Sequence, residues 1–291
     1  SALFGPVKYA ILPQALREDE LIGGNGLIEM GTFLAILLGT LAAGVLMNQS
    51  GYIVLVSSAV CLVAVFGYLS IRQIPLAKAA YPTLSIDWNV ARQTRAVMKL
   101  GLCQSPVVSR SILGNSWFWF LGAIYLAQIP TLAKESLGGD ETVVSLILAV
   151  FSVGIALGSW LCERLSDDQV EIGLVPFGSF GLTVFGALLG WHCWGLALAA
   201  GHNWLSILQE SRALWVLFDL LGIGVFAGLY IVPLYALIQS RTADDQRARV
   251  IAANNILNAL FMVVSALVAM WVLSVLECTS SRWWPSSPRA S

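Results

Sequence analysis

The 291 residues are 57% apolar and 11% charged, whereas a soluble domain is roughly 25% charged. This composition excludes a soluble globular domain, and a net charge of −1 offers no basic surface for nucleic acid. Five scattered cysteines without a C-x-x-C pair point to neither a zinc site nor a disulfide framework.

A hydrocarbon core about 30 Å thick takes about 20 mainly apolar residues per helix. The sequence predicts a short first element at 1–13, then spans at 22–48, 52–72, 107–130, 141–163, 172–194, 212–239 and 249–276. These runs are too long and too uniformly apolar for barrel strands, so all are expected to be helices. The chain opens on Ser1 inside an apolar segment, with no basic start or small-residue cleavage site, so the first element reads as a truncated helix rather than a signal peptide. Between 73 and 106 the composition shifts to Pro75, Pro82, Pro106 and several cations. There "SIDWNVARQTRAVMKL" (85–100) fits either an interfacial amphipathic helix or a solvated connector. Residues 195–211 are expected to carry one interfacial turn. The polar stretch 277–291 does not read as a further span.

Lys and Arg accumulate on one side of this topology. Lys8, Arg17, Arg72, Lys78, Arg92, Arg95, Lys99, Arg110, Arg164, Arg241, Arg247 and Arg249 fall there, against Lys134, Arg212, Arg282 and Arg289 on the other. The basic side is therefore expected to be cytoplasmic.

The first element is repeated late in the chain. "FGPVKYAIL" (4–12) aligns with "YIVPLYALI" (230–238) when Tyr9 meets Tyr235. Past a connector three residues longer in the first copy's counterpart, "GNGLIE" (24–29) aligns with "ANNILN" (253–258), so Asn25 meets Asn254 and Glu29 meets Asn258. The copies lie six spans apart and start on the same side. Parallel six-helix halves are the plan of the major facilitator superfamily. On that plan the fold class is an all-α membrane protein, a partial major facilitator fold covering helices four (truncated) to eleven of twelve. Residues 1–72 would be the remainder of the first bundle, 73–106 the central loop, 107–276 the second bundle without its last helix, and 277–291 an atypical tail.

Ionisable side chains inside spans are expensive and are functional candidates by default. Glu29 lies roughly 10 Å, and Lys8 roughly 9 Å, from the same membrane face at 1.5 Å per residue. They can pair or flank one polar ligand, with Tyr9 beside them and Asn25 one turn from Glu29. The plain alternative is a snorkelling lysine that Glu29 satisfies. In the second copy Lys8 becomes Leu234 and Glu29 becomes Asn258, so the fold itself does not require the charges. Tyr125, Gln128 and Asn115 are candidates to line a cavity, and "SWFWF" (116–120) reads either as an interfacial aromatic belt or as a wall against an acyl chain. Asp219 either faces a cavity or bonds nearby Ser or Trp groups. Glu163 and Arg164 form either a gating contact or an ordinary interfacial salt bridge. Gly154/Gly158, Gly186/Gly190 and Gly224/Gly228 have the spacing of close helix packing. No Walker loop, H-E-x-x-H or G-x-S-x-G appears, and neither His192 nor His202 begins an H-x-x-x-x-D acyltransferase pair. No cofactor or metal site is expected, and the chain reads as a non-enzyme.

The strings "SALFGPVKYAILPQ", "GGNGLIEMGTFLAILLGTLAAG", "SWFWFLGA", "LCERLSDDQVEIGLVPFGSFGLT" and "YIVPLYALIQSR…RARVIAANNILNALFMVVSAL" resemble the lysophospholipid transporter branch of the superfamily, from residue 1 to about 275. The resemblance is strongest to versions fused to a glycerophospholipid acyltransferase and an acyl–acyl-carrier-protein synthetase. It implies a flippase carrying lysophosphatidylethanolamine and related lysolipids across the bacterial inner membrane for re-acylation. It implies membrane lipids and a fused or associated acyltransferase as partners, and headgroup-side roles for Lys8 and Glu29. Standalone members place an arginine in helix seven; "GAIYLAQIP" has none, which leaves Lys8 as the intramembrane cation. The readings set against this are a major facilitator carrier of another small solute or drug, and a membrane anchor for the acyltransferase.

Overall fold

The computed structural model describes residues 4–47, 49–74, 88–166 and 173–283. Among these residues ten α-helices follow in order: α1 (Phe4–Ala15), α2 (Leu21–Met47), α3 (Tyr52–Ile71), α4 (Val90–Leu102), α5 (Pro106–Thr131), α6 (Glu141–Leu165), α7 (Leu174–Cys193), α8 (Trp204–Ile207), α9 (Ser211–Ser240) and α10 (Asp244–Trp283). Among the described residues, seven helical stretches are long and apolar enough to cross a membrane, from Glu18–Ala43 to Asp244–Val275. The chain is a multi-pass, all-helical membrane protein.

Local chemistry sets the helix ends. Ser105 caps α5 ahead of Pro106, which stands where a helix needs no N–H donor. Asp140 caps α6 through Thr142 N at 2.9 Å and Val143 N at 3.4 Å. Those hydrogen bonds, with one from the Thr142 hydroxyl, hold the Asp140 carboxyl below its usual range. At the α9–α10 turn, Arg247 Nε donates to Gln239 O at 2.7 Å and Arg247 Nη2 to Thr242 O at 3.2 Å, satisfying carbonyls left open by the end of α9. On the opposite side, Asp140 N donates to His202 O at 3.0 Å, so the α7–α9 connector is tied to the α5–α6 turn. The predicted interfacial turn of that connector is α8.

Helix α9 is the centre of the packing, sheathed by α6, α7 and α5 and touched by α2 and α1. Its contact with α6 is built from glycine. An ideal Cβ on Gly154 would lie 2.5 Å from Leu221 O, and one on Gly158 would lie 1.9 Å from Val225 O. Facing them, Gly224 and Gly228 abut the α6 backbone at Phe151 O and Ser159 N. The two backbones therefore touch, as small-xxx-small spacing allows. The third pair behaves differently. Gly186 faces the Tyr125 hydroxyl, and nothing lies within 4 Å of a Cβ on Gly190, so that spacing makes no helix contact. By contrast, α3 buries none of its span and presents its apolar surface outward throughout.

Two further expectations meet the structure here. Residues 88–102 form a connector followed by a helix: α4 turns Val97, Met98 and Gly101 inward, and a Cβ on Gly101 would meet Ala253 Cβ of α10 at 2.6 Å. Arg95 and Lys99 stay on the outward face. The part of the predicted loop at 75–87 lies outside the described residues, as does 284–291 of the tail. The helix of the last span does not stop at 276, where the apolar run ends, but continues to Trp283.

Candidate polar and aromatic cavity site

Tyr9 of α1 and Tyr235 of α9, the two residues matched by the internal repeat, stack face to face with ring centroids 4.2 Å apart and an interplanar angle of 3°. Both are buried. The Tyr9 hydroxyl donates to Glu29 Oε1 of α2, and Glu29 is 1% exposed. Lys8 Nζ does not bond Glu29 directly. It donates to Thr32 Oγ1 at 3.1 Å, lies 4.7 Å from the Tyr9 ring centroid and remains within Coulombic reach of the carboxyl. In place of the expected direct Lys8–Glu29 contact, Tyr9 meets both, its ring facing the ammonium and its hydroxyl bonding the acid.

Asn25, one turn before Glu29, completes this layer. Its Nδ2 donates to Gln239 Oε1 at 2.5 Å, while Gln239 Nε2 donates back to Asn25 Oδ1 at 3.1 Å and to Tyr9 O at 3.0 Å. Asn25 and Gln239 are fully buried, so this reciprocal amide pair joins α1, α2 and α9 without solvent. The polar groups of the second copy meet α5 instead, although Asn254 Nδ2 has no hydrogen-bond partner. Asn115 Nδ2 donates to Asn254 Oδ1 at 3.0 Å, and Ser116 Oγ donates to Asn258 Oδ1 at 2.9 Å. Gly114 leaves room for Leu234, the counterpart of Lys8, which approaches within 3.4 Å of a Cβ there. Asn115 and Trp119 face the Tyr235 hydroxyl, yet Asn115 Oδ1 and Trp119 Nε1 lack a hydrogen bond of good geometry. The polar layer has unspent hydrogen-bonding capacity at its aromatic edge.

Beyond that edge lies a cavity of about 330 Å³ between α5, α6, α7 and α9. Trp117, Phe118, Leu121, Phe151 and Ile223 make its wall apolar, with Tyr125, Ser179 and Thr183 as the polar groups. It adjoins the polar layer. Ser116 and Asn258 bond next to Trp117 and Phe118, Tyr230 stacks on Phe118 at 6.2 Å, and Phe33, one turn beyond Glu29, meets Phe151 edge-on at 6.1 Å. The "SWFWF" cluster therefore divides: Ser116 and Trp119 turn to the polar layer, Trp117 and Phe118 to the cavity, and Phe120 stacks on Trp117 at 5.0 Å.

The remaining candidates are dispersed. Tyr125 lines the cavity, but Gln128, half-buried at the far end of α5, does not. Glu163 lies against the start of α2, its Oε1 2.8 Å from a Cβ placed on Gly23. Arg164 turns away and packs its guanidinium 5.4 Å from the Trp160 ring, so these neighbours form no ion pair with each other. Asp219 is not in the cavity. Fully buried, it meets His192 Nδ1 at 2.6 Å. Sequence reasoning missed Thr32 and Gln239. The repeat pointed to Tyr235, but Gln239 aligns with Pro13 and carried no signal. No group of three His, Cys, Asp or Glu side chains able to hold a metal occurs among the described residues.

Comparison with known proteins agrees with this architecture. The chain is 30% identical over 246 residues to the lysophospholipid transporter LplT of Escherichia fergusonii, covering 83% of this chain and 56% of that protein. It is 29% identical over 244 residues to the proteins of the same name from Shigella boydii serotype 4 and Escherichia coli K12, with the same shares covered. The chain thus spans about half the length of the curated relatives it matches. No solved structure matches. The Major Facilitator Superfamily model matches residues 1–266. The chain belongs to the major facilitator superfamily.

Proposed function

We propose that the chain is part of a flippase that carries lysophospholipids, such as lysophosphatidylethanolamine, across the bacterial inner membrane for re-acylation, with its basic side in the cytoplasm. The observation that carries this reading is one amphipathic site: the Lys8–Tyr9–Glu29–Asn25 layer is linked to an aromatic, apolar cavity through Phe33, one turn from Glu29, which meets the cavity residue Phe151 edge-on. A lysolipid has one acyl chain and a zwitterionic or anionic head. The cavity suits the chain, while the Lys8 ammonium and the Glu29 carboxyl offer opposite charges to phosphate and amine. Tyr125 borders the chain site; Asn258 and Asn25 belong to the polar floor.

In this reading the Tyr9–Tyr235 stack, five residues from the basic end of α9, closes the path towards the cytoplasm. Transport rocks the two halves about the site. Glu163, against α2 at the same end, and Arg164 act as contacts that separate in the inward-open state. The substrate argues for a nearby acyltransferase, fused or associated, that consumes the delivered lysolipid. The similarity to proteins named lysophospholipid transporters supports the assignment. A carrier of a small polar solute fits less well, because such a solute gains nothing from the apolar wall.

Uptake of labelled lysophosphatidylethanolamine into spheroplasts making the full-length protein of which this chain is part tests this. Lys8→Ala and Glu29→Ala should each reduce uptake at least about tenfold, the scale of one lost charged contact. Full uptake in both variants refutes the site, and no lysolipid uptake by the unmodified protein refutes the substrate.

A further inference from the structure

Outside this site, one buried ionisable pair is left unused. Asp219 of α9 is 0% exposed, its Oδ2 lies 2.6 Å from His192 Nδ1 of α7, and its Oδ1 has no hydrogen-bond partner. His192 is 26% exposed, stacks on Trp215 at 5.6 Å and forms part of the wall of an outer cavity with Arg212, Trp191 and Trp194. One member is thus partly exposed at the outer cavity while the other is sealed in protein. The same two helices wall the aromatic cavity, through Thr183 and Gly186 on α7 and Ile223 and Ala227 on α9. The pair lies about 6 Å along α9 beyond Ile223, at 1.5 Å per residue, on the side away from the Tyr9–Tyr235 stack.

We propose that His192–Asp219 is a proton-binding site, loaded from the outer side, that clamps α7 to α9 above the aromatic cavity. With the proton the pair is an imidazolium against a carboxylate and carries no net charge. Without it the imidazole is neutral, and a full negative charge stays on a carboxylate with one oxygen unbonded among apolar neighbours. The clamp is tight in the first state and loosened in the second. Two other titratable or charged groups stand close to the pair. Cys193 of α7 interacts with Asp219, and Arg212 of α9 shares the outer cavity with His192. The α6 span has no titratable side chain between Glu141 and Cys162, and α8 has none. Between Arg110 and Lys134, α5 contributes Tyr125, which faces Gly186. His202 and Lys134 are on the outer loops, while Lys8, Tyr9 and Glu29 are at the basic end.

The protein's two histidines make the test direct. The chain, labelled with ¹⁵N-histidine in lipid nanodiscs, is titrated from pH 5 to 8, with hydrogen–deuterium exchange followed at 189–193. The expected result is a His192 ring signal whose response to pH is altered in Asp219→Asn, while that of His202 is the same in both proteins. Exchange in the last turn of α7, divided by the base-catalysed intrinsic rate at each pH, should rise about threefold or more as His192 loses its proton, with no such step in His192→Gln. A His192 response that Asp219→Asn leaves unaltered, or a response without an exchange step, overturns the proposal. Should Asp219→Asn fail to fold, the coincidence of the two wild-type curves decides. No lysolipid enters the measurement, so its failure and that of the transport reading are separable.

Discussion

The contact between Tyr9 and Glu29 ties α1 to α2 at the centre of the polar layer, and its strength can be isolated. Tyr9→Phe removes one hydroxyl and keeps the ring stacked on Tyr235 at 4.2 Å. Glu29 then loses its donor while 1% exposed, with Lys8 still bonded to Thr32. A buried acceptor left unpaired costs about 1–3 kcal/mol, whereas hydrogen bonds between membrane helices average about 0.6 kcal/mol with a maximum near 1.7. Burial of both groups and the nearby ammonium place this bond at the upper end, so a double-mutant cycle of Tyr9→Phe with Glu29→Met should give a coupling of about 1–1.7 kcal/mol. Unfolding in mixed detergent micelles measures it. A coupling below about 0.3 kcal/mol, within the usual additivity error, would refute the bond as a tie between the two helices.

Other outcomes follow from the same geometry. Gly158→Ala should destabilise the fold by about 1–3 kcal/mol or more, because its Cβ would lie 1.9 Å from the Val225 carbonyl, whereas Gly190→Ala should have no measurable effect on thermal unfolding. Gly122→Leu projects into the aromatic cavity, where nothing lies within 4 Å of a Cβ. Lysolipid affinity measured by isothermal titration should fall for long acyl chains and stay unchanged for short ones. Asp140→Ala removes the cap of α6 and should cost about 1 kcal/mol. Since the folded Asp140 carboxyl titrates below its usual value, its cap is fully present above about pH 4 and is lost as pH falls through the folded value. Amide exchange at Thr142 and Val143 should rise on that acid limb alone.

The internal repeat gains a physical meaning from the packing. Its central tyrosines are stacked partners, which places them together where the copies meet. Its polar positions stay polar but change allegiance. Asn25 and Glu29 bond to α9 and α1, while Asn254 and Asn258 bond to α5. The charge in the first copy thus coincides with a different set of neighbours. Lys8 reaches Thr32, whereas Leu234 fills the space over Gly114.

The spans were legible in the sequence because lipid imposes one rule on every segment: some 20 apolar residues with their backbone bonds closed internally. For the same reason Lys8 and Glu29 stood out as exceptions, and the repeat exposed Tyr235 and Asn258. Which groups bond was not legible. Hydropathy is a property of one helix at a time, but the Asn25–Gln239 amide pair, the Tyr9 bridge between Lys8 and Glu29 and the His192–Asp219 contact each need two or three helices at a fixed rotation. G-x-x-x-G spacing showed where close approach was possible. Tertiary packing decided that Gly154 and Gly158 meet Gly224 and Gly228 while Gly190 meets nothing, because a helix has several faces and only one of them is turned to its neighbour.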